Sequence, residues 1–372
     1  MDKGAHFYKC DFQVHTPRDI NWKGKNAVTD EERKAYSEDL ILASRAKGLD
    51  AIAITDHHDF AFFPYIKKAA ESELDDSGNP ISENNRIIVF PGLELTLASP
   101  PCQALFILDA DFPENLFQGI LAALGITPNE STEQSHAQIR AIPGTIAQNL
   151  TELYDKLDSL DYLKGRYIIF PHVQDGGHKT ILRSGFAEYY KSMPCVGGYV
   201  DGSVSKLGNG NLAIINGKDR NYGFKSIAVI QTSDNRNQSH EDLGKHVTWI
   251  KWSEATAEAL RQACLAKESR MSQDEPLLPN IWITSVSVSN SKFLGRVNLD
   301  LNQQYNAIIG GRGTGKSTIL EYLRWGLCDQ PVENNDPDLT AVQKSSMTKV
   351  QSSQSQERDY LRLVRDLNLN FF

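Results

Sequence analysis

GLDAIAITDHHDF, residues 48–60, carries both the fold signal and the first chemistry of this chain. Residues 51–54, AIAI, are a continuous apolar run of strand length, and Asp56, His57 and His58 follow it directly. A short run with no polar alternation suits a strand buried on both faces, as in a parallel sheet covered by helices. Outward from it the pattern repeats. Residues 7–14 read as a strand and end at His15; RIIVF at 86–90 leads to Glu94; ALFIL stands at 104–108; YIIF at 167–170 leads to His172; IAVI at 227–230 leads to Asp234. Residues 29–47 read as an amphipathic helix with acidic residues in its first turn and Gly48 after its end. Residues 114–161 read as mostly helical with a break around 128–135, and residues 253–270 as a further amphipathic helix. In an α/β barrel or an open parallel sheet, the C-terminal strand ends meet on one rim. Five segments would then bring imidazoles and carboxylates to one place. These are the ligand types of zinc, manganese and iron, in numbers that suit a cluster of ions. A lone histidine at a strand end is more often a hydrogen-bonded structural residue. Five such placements argue for a site.

DFQVHT, GLDAIAITDHHDF, VFPGLEL, FPHV and TSD, in this order, resemble the motifs of the PHP (polymerase and histidinol phosphatase) domain, over roughly residues 5–250. The resemblance implies a distorted seven-stranded β/α barrel that holds up to three divalent ions and hydrolyses phosphoesters. It implies His15, His57, Glu94, His172 and Asp234 as metal ligands, Glu94 as a bridge between ions, and Asp56 as a ligand or as the partner that orients an imidazole. His57, His172 and Asp234 are the residues it would place in catalysis, with the two histidines as ligands or proton shuttles. The chain also departs from the motifs. Gln13-Val14-His15 stands where the family has H-x-H, Gln103 where it has a histidine, and Asp234-Asn235-Arg236 where it has D-x-H. An amide oxygen is a weaker ligand than imidazole, and arginine ligates no metal. The expectation is one or two ions in place of three, or a site without turnover. Arg236 would then be free to contact a substrate phosphate. His240 is the imidazole near enough in sequence to stand in for the missing one. His6, His136, His178 and His246 read as surface or structural. Residues 203–222, rich in Gly, Asn and Lys, read as a solvated loop, with contact to a nucleotide or nucleic acid over the rim as the second reading.

A second chemistry stands at residues 305–320, YNAIIGGRGTGKSTIL. Gly310, Gly315, Lys316 and Ser317 fit G-x-x-x-x-G-K-[ST], between an apolar run at 306–309 that reads as a strand and a helical pattern from Ser317. Backbone N–H groups of Gly310, Gly311, Gly313, Thr314 and Gly315 would close around phosphate oxygens. Lys316 would reach the terminal phosphates, and the hydroxyls of Ser317 and Thr318 lie where magnesium is held, so ATP with Mg is the expected ligand. Before the loop, IWITSVSVSN and FLGRVNLDLN alternate like two antiparallel strands. Residues 280–328 resemble the N-terminal lobe of SMC-type ABC ATPases. No LSGG-like signature and no apolar strand ending in Asp-Glu follows residue 320. The tail from residue 329 is polar, with one helical pattern near 357–367. Half a nucleotide-binding domain would leave apolar surface uncovered, so a truncated product is expected; the other reading is a natural short protein completed by a partner chain.

Composition sets the remaining bounds. The 372 residues suffice for two domains, and 40% hydrophobic with 23% charged residues is ordinary for a globular protein. A net charge of -8 does not advertise nucleic-acid binding over the whole chain, though a local basic groove is compatible with it. Five scattered cysteines without a C-x-x-C pair argue against a zinc ribbon or a disulfide framework and fit a reducing cytoplasm. No apolar run suggests a membrane span, and the N-terminus has no signal-peptide core. The fold class expected is α/β: a PHP-type distorted (β/α)7 barrel over residues 1–270, a linker at 271–280, and a partial P-loop lobe of the ABC/SMC type over 281–372. A PHP barrel joined to such a lobe resembles the TrlF-like PHP–ATPase proteins of bacteria, some linked to anti-phage defence. The resemblance implies a metal-dependent phosphoesterase, a nuclease on nucleic acid gated by ATP, assembled as a homodimer or larger. Two alternatives stand beside it: a phosphatase on a nucleotide or other small phosphoester, and a catalytically degraded module that only senses or scaffolds.

Overall fold

The computed structural model describes residues 4–19, 21–75, 77–98, 101–127, 141–174, 179–183, 185–291, 294–327 and 367–368. Its residues fall into two compact units, Ala5–Pro276 and a second that joins Gly4 to the residues from Leu277 onward.

All six apolar runs of the first unit form strands: β1 (His6–Val14), β2 (Ala51–Ile54), β3 (Ile88–Ala98), β4 (Pro101–Leu108), β5 (Tyr167–Pro171) and, after β6 (Gly197–Asp201), β7 (Ala228–Thr232). The strands β6, GGYVD, and β8 (Thr248–Trp252) carry too little continuous apolar sequence to be anticipated. β1, β2 and β3 pair in parallel, as do β6 and β7. The expectation of a parallel sheet throughout is corrected at β4, which runs antiparallel to both β3 and β5. Only two residues separate β3 from β4, and a connection that short permits a hairpin but no crossover. The seven strands β1–β7 form the staves of a distorted barrel. Bridges between His172 and Tyr199 and between Val14 and Asn235 join β5 to β6 and the end of β7 to β1. Val173 N–H donates to Tyr199 O (2.9 Å) and His15 N–H to Asn235 O (3.0 Å). β8 pairs with β1 outside this ring, and β9 (Met271–Ser272) lies beyond β8 at the sheet edge.

Alternation along the strands separates two apolar layers. Phe12, Ala51, Ala53, Phe90, Leu105, Ile107, Phe170, Tyr199 and Ile230 pack together in one, while Ile52, Ile54, Leu93, Leu95, Phe106 and Ile169 face the other with the helices. On β3 and β4 the residues in step with Phe90, Leu105 and Ile107 include Glu94 and Gln103, so the first layer runs into polar side chains at one end. The connecting helices are α1 (Asp30–Ala46), α2 (Phe63–Glu71), α3 (Phe117–Ala123), α4 (Leu150–Asp158), α5 (Ala187–Ser192), α6 (Asn209–Ile215), α7 (Ala257–Leu265) and α8 (Lys267–Arg270). α1 begins with a capping box, Thr29 and Glu32 each satisfying the other's backbone N–H, and Gly48 beyond it takes φ 65°. α3 and α4 fall inside the region read as helical, and its break at 128–135 lies outside the described residues. The loop expected over 203–222 holds α6 instead, because Ile214 and Ile215 bury a helical face.

In the second unit, β10 (Ser285–Ser291) and β11 (Gly295–Asp300) form the expected antiparallel pair, and β12 (Leu367–Asn368) pairs with β10. Val286, Val288 and Tyr322 of the helix α9 (Lys316–Leu327) make its small core. The run 306–309, expected as a strand, has no regular structure, and Ile309 is 92% exposed. The Asn306 amide instead closes a turn, accepting from Asn302 N–H at 2.6 Å and donating to Asn302 O at 2.7 Å. The helical pattern near 357–366 lies outside the described residues.

Candidate metal centre

The strand ends do converge. β1 delivers His15, β2 is followed by Asp56 and His57, and β3 carries Glu94, whose N–H donates to Asp56 O at 3.2 Å. β7 is followed by Asp234, which takes φ 47°, a left-handed conformation that Asp tolerates better than bulkier residues. That turn brings Asp234 Oδ1 to 3.2 Å from His15 Nε2. His15 Nε2 also lies 3.3 Å from Glu94 Oε2, and His57 Nε2 lies 3.5 Å from the same oxygen. All but Asp234 are buried. Ligands about 2.0–2.1 Å from a tetrahedral ion stand roughly 3.3 Å apart, so these separations suit one ion held by His15, His57 and Glu94, with Asp234 beside His15. The Nε2 atom of His15 is buried without a hydrogen bond, the state expected of an atom that faces a cation. The residues present therefore fit a metal ion, and His15, His57 and Glu94 form one of two side-chain groups close enough to hold one.

Asp19 organises this cluster, and the sequence reading passed over it because it lies in a turn beyond β1 and not at a strand end. Its Oδ2 accepts from His57 Nδ1 at 2.8 Å and stands 3.0 Å from His15 Nδ1. A carboxylate on Nδ1 fixes the tautomer that leaves Nε2 free for an ion. Asp56, expected as a ligand or as the partner of an imidazole, lies behind His15. Its carboxylate accepts from Thr16 N–H (2.7 Å) and Thr16 Oγ1–H (2.6 Å), and its nearer oxygen is 3.8 Å from His15 Nδ1. Burial pushes its carboxyl up to about 7, against the pull of His15 and with a contribution from Asp19. For Glu94, burial acts in the same upward direction, but His57, His15 and Arg236 outweigh it and hold the carboxyl well below its usual range. His15 is raised well above the usual imidazole value: burial and Arg236 oppose its charge, and Asp19 and Asp234 prevail.

The three departures from the motifs resolve differently. Gln13 Oε1 accepts from Thr232 Oγ1–H at 2.5 Å. Gln103 Nε2 stands 3.2 Å from His57 Nε2, at the edge of the cluster. Arg236 enters the cluster itself, with Nη1 2.6 Å from Asp19 Oδ2, Nη2 3.1 Å from Glu94 Oε2 and Nε 2.9 Å from Asp234 Oδ1. His240 does not stand in for an imidazole ligand, since its Nε2 pairs with Asp39 on α1 at 3.1 Å.

His172 sits apart from the His15 cluster. Its Nε2 is 3.4 Å from Asp201 Oδ2 and 3.3 Å from Gln174 Oε1, and its ring packs on Tyr199 at 5.0 Å. Tyr199 links the two groups, because its hydroxyl donates to Glu94 Oε1 at 3.4 Å. Asp201 was also missed, being on the unanticipated strand β6. A cavity of about 540 Å³ opens beside both groups, lined by Asp201, Asp234, Arg236, Lys23, Lys206 and Lys245 among others. His246 lines it too, which gives that histidine a place that its sequence context did not indicate. His136 and His178 lie outside the described residues.

In the second unit, Gly313 and Gly315 take φ 81° and 88°, which explains glycine at both positions. Lys316 Nζ curls back onto Gly310 O (2.6 Å) and Gly311 O (2.5 Å), and Thr314 Oγ1–H donates to Gly311 O (3.0 Å). The loop opens directly into α9, with Ser317 and Thr318 in its first turn. Residues 285–369 match the family model of the AAA domain. No curated protein sequence matches the chain. Among solved structures, it is similar to the lesion-specific endonuclease PfuEndoQ from Pyrococcus furiosus at 13% identity and a TM-score of 0.46, over 77% of this chain and 63% of that one. The chain thus spans less than two thirds of that protein. PsfC from Pseudomonas syringae follows at 15% identity and 0.36, over 66% and 82%. A two-domain protein containing a predicted PHP-like metal-dependent phosphoesterase from Bacteroides vulgatus gives 14% and 0.42, over 72% and 64%. Among the described residues, no helix is long and apolar enough to cross a membrane.

Proposed function

We propose that the unit Ala5–Pro276 is a metal-dependent phosphoesterase whose substrate is the phosphodiester of a nucleic acid, and that nucleotide bound at residues 310–318 gates it. The observation that carries the reading is the group of His15 Nε2, His57 Nε2 and Glu94, close enough together to hold one ion, with Asp234 beside His15 and Asp19 on the far side of both rings. His15, His57, Glu94 and Asp234 would hold a zinc, manganese or iron ion, which when bound supplies Lewis acidity and lowers the pKa of a water. His57 serves as a ligand and not a shuttle, because Asp19 occupies its other nitrogen. His172, paired with Asp201 of the cavity wall, would carry a proton to or from a substrate oxygen. Lys23, Lys206 and Lys245 on the cavity wall suit phosphate oxygens. In the second unit, Gly310 to Thr318 would bind ATP with magnesium. The AAA match supports a nucleotide-dependent homodimer or larger assembly, with a linker within 271–280 between barrel and lobe. By its resemblance to TrlF-like proteins, the reading extends to a cytoplasmic role in anti-phage defence. A second reading draws on the cavity, whose volume of about 540 Å³ suits a mononucleotide or other small phosphoester.

The test is hydrolysis of single- and double-stranded DNA and RNA, and of mononucleotides, with manganese, by wild type and His15→Ala. Strand cleavage that His15→Ala abolishes supports the nuclease. Release of phosphate from mononucleotides alone supports the second reading. Manganese-independent or His15-independent cleavage rejects both.

A further inference from the structure

Arg236 makes three charged contacts inside the cluster. A free arginine beside a metal centre would point to substrate, but each of its three nitrogens is engaged by a different carboxylate: Asp19, Glu94 and Asp234. The oxygens it meets are the ones that face the imidazoles of His15 and His57. Its backbone is fixed as well. Lys23 N–H donates to Arg236 O at 2.8 Å, and the residues on either side bridge to Val14 and Lys23. The side chain is 15% exposed, so it enters the cluster from the cavity side with most of its surface covered.

We propose that Arg236 is a built-in cation that takes the place of a second metal ion, so that the centre holds one divalent ion beside a guanidinium. The inference rests on the metal-centre reading above. Charge decides it. Asp19, Glu94 and Asp234 bring three negative charges; one guanidinium and one divalent ion cancel them. Asp56, whose oxygens are taken up by Thr16, leaves at most one further negative charge. A second divalent ion would bring more positive charge into this buried site than Asp19, Glu94, Asp234 and Asp56 together can cancel, and uncompensated buried charge is strongly disfavoured. Geometry agrees. The guanidinium meets three separate carboxylates with three fixed, coplanar donors, each at hydrogen-bond distance. Arg236 thereby holds these carboxylates together with or without the ion, while lending no Lewis acidity.

The experiment is metal content per chain by elemental analysis after manganese loading and desalting, on wild type, Arg236→Lys, Arg236→Ala and Arg236→His. Thermal melting in chelator and in manganese is followed in parallel. Wild type and Arg236→Lys should each retain about one ion, and Arg236→Ala or Arg236→His about two, because two positive charges replace one among the same carboxylates. In chelator Arg236→Ala should melt below wild type, and manganese should raise its melting temperature by more than it raises that of wild type. If Arg236→Ala fails to fold, Arg236→His carries the comparison. Two or more ions in wild type, or no gain in either neutral variant, overturns the proposal and leaves the metal centre standing. No ion in any of the proteins overturns the metal centre itself.

Discussion

Replacing Asp19 with asparagine tests the organisation of the cluster with a change of one atom. Its Oδ2 accepts from His57 Nδ1 at 2.8 Å and Arg236 Nη1 at 2.6 Å and stands 3.0 Å from His15 Nδ1, while Oδ1 accepts from Asn21 N–H at 2.7 Å. An amide has one oxygen and one NH2 group. If its oxygen faces the imidazoles, its NH2 meets the Asn21 N–H; if it is turned around, its NH2 meets the His57 and Arg236 donors. Neither orientation satisfies the site, and Arg236 loses a charged partner in a buried position. Breaking a buried ion pair from one side costs about 3–5 kcal/mol, a large share of the roughly 5–15 kcal/mol that holds a domain. Metal affinity should fall about 10–100-fold, since both Nε2 tautomers lose their support. The assay is urea unfolding in chelator, with manganese binding followed by calorimetry. Asp242→Asn, in an exposed pair with Lys245, is the control and should cost less than about 1 kcal/mol. An Asp19→Asn protein within about 1 kcal/mol of wild type that binds manganese normally would refute the reasoning.

Three further outcomes follow from other parts of the molecule. Gly92→Ala places a Cβ 2.8 Å from the carbonyl oxygen of Phe106 and 3.0 Å from Thr55 Cγ2, so it should destabilise the first unit by about 1–3 kcal/mol and displace Glu94 two residues on; unchanged melting contradicts this. His58 is buried and neutral, its Nε2 accepting from Thr96 N–H at 3.1 Å, and burial with the neighbouring His57 depresses its pKa to about 3. Protons therefore bind the unfolded chain preferentially, and stability present above about pH 6.5 is lost as pH falls toward 3. The loss from this group is about 2 kcal/mol by pH 5. His58→Gln, which keeps an acceptor, should flatten that part of the pH–stability curve, and an unchanged slope counts against the assignment. Lys316→Ala should weaken ATP binding about 100-fold or more in a fluorescent-nucleotide titration while leaving metal content unchanged; normal ATP binding would remove Lys316 from the loop's function.

Much of the barrel and part of the site were legible from residue order alone. The apolar runs at 51–54, 104–108, 167–170 and 227–230 are strands because continuous burial leaves a short segment few other choices, and the polar residues after the runs at 51–54, 167–170 and 227–230 mark the rim. What the runs do not encode is direction. β4 reads like its neighbours and is antiparallel, because the length of a connection settles direction, not strand composition. β6 escaped notice for lack of apolar continuity, and Asp201 with it. Asp19 escaped because its role comes from a turn that folds back on two imidazoles, a proximity with no period in the sequence. Arg236 was read as a lost ligand available to substrate. Its three carboxylates come from a turn after β1, from β3 and from the turn after β7, a convergence that only the closed barrel produces. The run at 306–309 fits strand composition as well as any other, yet the Asn302–Asn306 turn claims its start.

The most direct test of the metal centre is an anomalous-scattering map from crystals of the full chain soaked in manganese. The account predicts a peak within about 2.0–2.3 Å of His15 Nε2, His57 Nε2 and Glu94, with the Arg236 guanidinium still against Asp19. A peak only beside His172 and Asp201, or none at all, would contradict it.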